Sequence, residues 1–351
     1  MQVCRLNSLL SRFLGLLFDG GRASRVQLND GNSIPHLGLG TFLGFDEVTY
    51  FRHGQIQPRE REVSDAVENA LKAGYRLIDT AALYMDEDQV GDGVRACIDK
   101  GIVQRKNVFI NTKLSRYDHR RVIDGLKKSL QRLKMDYVDS YLIHFPILIS
   151  QEDNKIDDYD YLETWREMEK AREMGLTKSI GLSNFNISQI TRVLENCKIK
   201  PAILQIEVSV NLNLAQNELY DFAKRQNITI MAYTPFGSLF NNRVEDKGKQ
   251  TPDPRVDDPI LVNIAKKYNK TTPQIVLKYL VQRGLVPIPK SIHKGRIEQN
   301  IDVFDFELSK DEMKVLADFN KNYRIVWPTF WQDHPYYPFE KKEVPDKNLF
   351  E

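Results

Sequence analysis

Cysteine is scarce. The three present, Cys4, Cys97 and Cys197, form neither an even disulfide set nor the paired spacing of a metal-binding thiol cluster, which favours a reducing, cytoplasmic setting. Histidine is nearly as rare: there are six, none paired at ligand spacing, so no metal is expected and a metal hydrolase is disfavoured. Neither charge sign dominates, with Lys plus Arg at 50 against 48 Asp plus Glu, so nothing points to a nucleic-acid partner. No apolar run reaches the length of a membrane span. Gly/Ser/Pro-rich linkers are missing too, so residues 25–351 are read as one domain. No Gly-X-Gly-X-X-Gly follows the first predicted strand, which counts against a doubly wound dinucleotide-binding sheet.

Residues 1–24 stand apart. Arg5 and Arg12 flank Leu9-Leu10 and precede Phe13-Leu14-Gly15-Leu16-Leu17-Phe18, with no acid before Asp19. Arg12 interrupts what would be a signal-peptide core. A secretory signal, an amphipathic transit segment and a disordered extension all fit, so secretion or organelle targeting stays open.

What is present is a strict alternation. An Asp30-Gly31 turn between short apolar runs predicts a hairpin over Val26–Pro35, and Leu37–Gly40 follows as the first buried strand. Val63, Ala66, Val67, Ala70 and Leu71 share one helical face within Glu60–Ala73. Strands are then expected at 77–79, 108–113, 137–144, 179–183, 202–207, 229–233 and 286–288. Helices between them are expected at 86–100, 118–133, 159–174, 188–196, 216–225, 259–268 and 273–283, with 296–303 and 309–319 beyond. Eight strands alternating with helices predict an α/β fold of the (β/α)8 TIM-barrel class, with an N-terminal β-hairpin. Loop lengths agree. Joints from helix to strand are short, whereas long loops (Leu43–Arg59, Phe145–Asp158, Thr234–Asp258) occur only after strands. In a barrel these gather on the face that builds the active site.

The strands also end alike. In Gly74-Tyr75-Arg76-Leu77-Ile78-Asp79 a helix stops at a glycine and a short apolar run stops at a carboxylate, with Tyr84 five residues later. Lys113, His144, Ser183-Asn184, Gln205 with Glu207, Tyr233 and Lys290 close the others, predicting a polar ring at one mouth. One strand-end lysine is usually a surface residue; a whole series of polar strand ends is poorly explained that way. A phenol titrates near 10. An ammonium about 4 Å away, at an effective dielectric near 20, is worth roughly 4 kcal/mol and is expected to lower that pKa by about two units. Asp79 would hold Lys113 in place and His144 would orient a substrate oxygen. Such a group donates a proton to a carbonyl, and the hydride must come from a cofactor.

Five ordered segments now carry a resemblance: Gly74–Tyr84, Ile110-Asn111-Thr112-Lys113-Leu114, Tyr141-Leu142-Ile143-His144-Phe145-Pro146, Gly181-Leu182-Ser183-Asn184-Phe185 and Ile288-Pro289-Lys290-Ser291. Together they resemble the motif set of the aldo-keto reductases, in order from Val26 to Tyr337. The resemblance implies a monomeric barrel that reduces small-molecule aldehydes and ketones with NADPH. It places the catalytic tetrad on Asp79, Tyr84, Lys113 and His144, with Tyr84 as proton donor. It assigns cofactor binding to Gly40, Thr41, Ser183, Asn184, Gln205, Tyr233, Ser238, Lys290, Ser291, Arg296, Gln299 and Asn300. Tyr233 would stack on the nicotinamide, and Lys290 and Arg296 would flank the adenosine 2′-phosphate. Phe42, Ser115 and Phe145 fall at substrate positions where many members carry Trp, and Ser115 opens or wets that wall. The tail from Asn322 to Phe339 and the Gly44-Phe45-Asp46-Glu47 loop resemble an insect subgroup that includes 3-dehydroecdysone reductases, implying a ketosteroid, with fatty aldehydes as the alternative. The competing class is a non-catalytic cofactor-binding or structural protein on the same barrel.

Overall fold

The computed structural model describes residues 21–44, 57–150, 152, 155–212, 217–240 and 251–341. The N-terminal stretch through residue 20, and Phe45 to Glu47, lie outside the described residues.

The predicted hairpin forms from β1 (Arg25–Gln27) and β2 (Ser33–Pro35), paired antiparallel around the Asp30-Gly31 turn. After it come β3 (Leu39–Gly40), β4 (Leu77–Asp79), β5 (Phe109–Leu114) and β6 (Val138–Ile143). A small antiparallel pair, β7 (Leu148–Ile149) and β8 (Ile156–Asp157), precedes β9 (Thr177–Ser183), β10 (Ile203–Glu207), β11 (Thr229–Tyr233) and β12 (Val286–Pro287). Among the described residues, eight of these strands make one parallel sheet in the order β3-β4-β5-β6-β9-β10-β11-β12. The sheet closes on itself. Gly38 N–H donates to Pro287 O at 3.1 Å, Gly40 N–H donates to Pro289 O at 3.1 Å, and Gly40 bridges Lys290 in parallel. A Cβ on Gly40 would lie 2.8 Å from Ile288 O, so the seam needs glycine there. The expected (β/α)8 barrel is the fold.

Helices α1 (Glu62–Ala73), α2 (Glu87–Asp99), α3 (Val122–Leu133), α4 (Tyr161–Glu173), α5 (Ile187–Asn196) and α6 (Asn217–Arg225) alternate with the strands. They are followed by α7 (Pro259–Tyr268), α8 (Thr272–Gln282), α9 (Lys294–Ile301) and α10 (Lys310–Ala317). Local chemistry sets their ends. Capping boxes start α5 (Asn186 with Gln189), α8 (Thr271 with Gln274) and α10 (Ser309 with Glu312). Gly74 stops α1 at φ 100°, its N–H returning to Ala70 and Leu71 carbonyls, and turns the chain into β4. No helix among the described residues is long and apolar enough to cross a membrane.

Three expectations need correction. The first barrel strand is Leu39–Gly40 rather than Leu37–Gly40. Helix α3 begins at Val122 rather than Asp118: Arg121 N–H closes a turn on Asp118 O at 2.8 Å before the helix starts. The Phe145–Asp158 segment, read as loop, contains the β7–β8 ribbon.

Two apolar layers hold the barrel. Outside, helix stripes such as Val63, Val67 and Leu71 pack on the strands. Inside, Leu77, Phe109, Leu142, Ile203, Met231 and Val286 fill the lower bore, which hairpin residues Leu28 and Ile34 plug. Ile34 is fully buried, so Ile34→Ala should lower unfolding free energy by about 2–5 kcal/mol in urea titration. KM and kcat measured below the transition should stay unchanged, since the plug lies at the mouth opposite Asp79.

Candidate functional site

Parallel strands carry their last residues to one mouth, and there the polar ring assembles. On β5, side chains alternate, so Asn111 and Lys113 face inward while Ile110 and Thr112 face the helices. Lys113, with no exposed side-chain surface, donates from Nζ to Asp79 Oδ2 at 2.9 Å, to Thr80 O at 2.9 Å and to Tyr84 OH at 3.1 Å. Asp79 Oδ1 accepts from Asn111 Nδ2 at 2.6 Å and Gln205 Nε2 at 2.7 Å. A 3₁₀ turn over Ala82–Tyr84, closed by Met85 at φ 57°, brings Tyr84 back over the strand ends. His144, just past β6, meets the Tyr84 ring edge-on at 5.6 Å and stacks on Phe145 at 5.3 Å. Phe42 lies against Tyr84 with ring centroids 4.9 Å apart. The four predicted tetrad residues therefore converge.

Electrostatics depart from the expectation that Lys113 lowers the phenol. Burial pushes Tyr84 well above the ordinary tyrosine range, and the charges of Asp79 and Asp86 push it the same way. The Asp79 carboxylate, touching the ammonium, offsets much of its field at the phenol. Burial likewise pushes Lys113 down, against the pull of Asp79. His144 is held well below its usual value by burial, with Lys113 and Arg116 adding to the effect. At neutral pH the phenol keeps its proton and the imidazole is neutral.

A second group lies beside the tetrad. Asn184, at φ 60°, donates from Nδ2 to His144 O at 3.0 Å and Ser183 Oγ at 3.1 Å, and Tyr233 OH donates to Asn184 Oδ1 at 2.7 Å. Ser183 stands in register with Gln205 on the neighbouring strand. A third group follows the seam. Thr41 donates through N–H and Oγ1 to Asp79 O at 3.1 and 3.2 Å. Lys290, Arg296 and Gln299 are exposed, whereas Ser291 and Asn300 are buried. Lys290 and Arg296 make no hydrogen bond or ion pair among the described residues. Ser238, in the loop after β11, donates its N–H to Asn211 Oδ1 at 3.0 Å and its hydroxyl to Pro252 O. At the substrate positions, Ser115 is half-buried and accepts from Tyr117 N–H at 3.3 Å, while Phe145 joins an aromatic wall with Tyr117, Trp327, Trp331 and Phe339.

Sequence reasoning missed three residues here. Asn111 was findable from its period-two spacing to Lys113. Asp86 had no signal beyond being an acid near Tyr84, and Arg116 read as one basic residue among several.

Residues 36–321 match the aldo/keto reductase family. The chain is 47% identical over 320 residues to aldo-keto reductase AKR2E4 of Bombyx mori, covering 90% of this chain and 99% of that protein. It is 38% identical over 328 residues to mouse estradiol 17 beta-dehydrogenase 5, covering 90% and 97%. The crystal structure of AKR2E4 in complex with NADP superimposes with a TM-score of 0.82 over 90% of this chain and 99% of that one, at 46% identity. The structure of silkworm AKR2E5 complexed with NADPH gives 0.86 over 93% and 97%, at 39% identity.

Asp86 yields a test of the buried electrostatics. Its Oδ1 accepts from Thr80 Oγ1 at 2.6 Å. Burial, aided by Glu87, pushes it from 3.8 up to about 6. The folded state thus binds the proton more tightly than the unfolded chain, and this group's contribution to stability falls as pH rises from about 4 to about 6. Asp86→Asn keeps the acceptor for Thr80 and removes the charge. Unfolding free energy should rise by roughly 3 kcal/mol at pH 7, the gain shrinking to below about 0.5 kcal/mol near pH 4.

Proposed function

Because this chain belongs to the aldo/keto reductase family, we propose that it reduces the carbonyl groups of aldehydes and ketones to alcohols with NADPH, Tyr84 supplying the proton. The observation that carries this reading is the Lys113 ammonium bonded at once to Asp79 and to the Tyr84 phenol.

The residues fit the cofactor. Ser183 accepts from Asn184 but keeps its own O–H to donate, and Gln205, whose Nε2 is given to Asp79, keeps Oε1 to accept. A donor and an acceptor side by side suit the primary amide of nicotinamide. Two cations in no salt bridge among the described residues, Lys290 and Arg296, suit the dianionic 2′-phosphate that distinguishes NADPH from NADH, although the Glu62 charge also reaches Lys290. Partial desolvation and the Arg296 charge push Lys290 down, a strain that a bound anion relieves. Solved structures of two relatives are complexes with NADP and NADPH. When bound, NADPH supplies the hydride.

The chain's own residues do the rest. His144 is neutral, and its buried Nδ1 has no partner among the described residues. The tautomer protonated on Nε2 leaves only a lone pair orphaned and makes Nε2–H the donor that orients the carbonyl oxygen. Tyr84 passes its proton to that oxygen as negative charge builds there. Lys113, fixed by Asp79 and the Thr80 carbonyl, stabilises the phenolate left behind. The field that does little for the resting phenol matters at this moment.

For the substrate we favour a ketosteroid such as 3-dehydroecdysone. Support comes from the aromatic wall around Phe145 and Trp331 and from the mouse relative named for estradiol. Turnover of 3-dehydroecdysone should exceed that of long-chain aldehydes when loss of NADPH absorbance is followed; the reverse order sinks the steroid assignment.

Tyr84→Phe should cut kcat for any aldehyde by about a hundredfold or more while NADPH affinity, read by fluorescence titration, stays as in wild type. Full activity in this variant would remove the phenol from the mechanism. Arg296→Leu should raise KM for NADPH roughly tenfold and leave KM for NADH nearly unchanged, which steady-state kinetics with both cofactors will decide.

A further inference from the structure

Arg116, at the mouth, has no counter-charge among the described residues. It follows Lys113 by three residues and lies half-buried in the aromatic wall. Its Cζ sits 4.5 Å from the Tyr117 ring centroid and 5.1 Å from that of Trp331. Trp331 meets Phe145 edge-on at 5.5 Å, and Phe145 stacks on His144 at 5.3 Å, so two rings separate the guanidinium from the imidazole. Its charge helps push His144 down, as a group within electrostatic reach must.

Several other arginines are neutralised, though not Arg324, which lies 4.6 Å from the Phe339 ring centroid in the same wall and makes no salt bridge among the described residues. Arg120 pairs with Asp157, Arg121 with Asp118, Arg105 with Asp139 and Arg132 with Glu87. Arg116 has no carboxylate in salt-bridge range among the described residues, and its one side-chain hydrogen bond, from Nη2 at 2.7 Å, goes to the neutral Tyr117 hydroxyl. Burial pushes the guanidinium down. The Tyr117 bond engages Nη2, and the remaining N–H groups of the guanidinium match a carboxylate in geometry and charge.

We propose that Arg116 is a specificity-determining residue that binds an anionic group, in the first instance a carboxylate, carried by the carbonyl substrate at the end remote from the reacting carbon. The proposal rests on the reductase reading for the carbonyl and names a second substrate class beside the neutral ketosteroid, which carries no such anion. The competing account is structural: Arg116 merely props the tail against Phe145 through Trp331.

The experiment uses NADPH-loaded protein and a series of ω-oxo carboxylates of increasing chain length, each paired with its methyl ester. At the length that bridges the site, wild type should favour the acid over its ester in kcat/KM by about tenfold or more, and Arg116→Gln should bring the ratio close to one. KM for the acid, but not for the ester, should rise with ionic strength in wild type, a readout that needs no variant. Calorimetric titration of the NADP-loaded protein with the matching alkyl carboxylate separates the two readings. Carboxylate binding that is lost in Arg116→Gln, without turnover of any aldehyde, sustains the anion site and removes the reductase assignment. Reduction of acid and ester at equal rates in wild type, or an equal loss on both in Arg116→Gln, overturns the anion site and leaves the reductase standing. Arg116→Lys, which keeps the charge but not the fork, should retain part of the preference; retention of all of it by Arg116→Gln is also fatal to the proposal.

Discussion

The site depends on one buried ion pair. An ammonium offers three N–H donors, and Lys113 satisfies them with a carboxylate, a carbonyl and a phenol. Desolvating the two charges is costly, and burial alone pushes the lysine toward its neutral form. Only a full set of partners at short range makes the pair tolerable. This explains why Asp79 is also bonded by Asn111 and Gln205, and why Ser140 donates to Asn111 in turn. Each added partner fixes the geometry further. The phenol is therefore located by a network whose members come from β4, β5, β6 and β10 rather than by its own turn.

That network also redefines what the ammonium does. A cation beside a phenol suggests a depressed pKa, and Coulomb's law taken for two groups alone agrees. In place, Asp79 lies as close to the ammonium as the phenol does, Asp86 adds a second acid, and water is excluded. Burial wins for the resting phenol. A proton donor must start protonated, so this state suits reduction. The ammonium contributes when charge develops on the tyrosine oxygen in a site too dry to supply other stabilisation.

Much of this was legible in the residues. Strand ends were, because a buried parallel strand is apolar until it reaches the mouth, and Asp79, Lys113, His144 and Tyr233 interrupt that rule visibly. Strands 77–79 and 229–233 and helix 259–268 fell where the periodicity put them. What was hidden lay in tertiary choices. Asp118 resembles a helix cap, yet its carbonyl closes a turn and the buried His119 meets Thr164 across the fold. The β7–β8 ribbon is too short to show alternation. Arg116 could not be singled out because a lone arginine after a strand is ordinarily a solvated one; only its burial among Tyr117 and Trp331 and its reach to His144 set it apart.

The last element to account for is the tail, whose aromatic rings form the wall opposite the tetrad. A segment beyond the final helix has little backbone pairing to hold it, yet substrate recognition requires it to stay in place. Glu207 supplies the anchor. Two residues past Gln205 on β10 and on the same face of the strand, it accepts the N–H groups of Ile325 and Val326, both at 2.8 Å. The Asn211 carbonyl takes those of Lys321 and Tyr323, both at 3.0 Å. One strand therefore bonds Asp79 through Gln205 and the aromatic tail through Glu207, so adjacent inward positions of β10 register the tail to the buried ion pair.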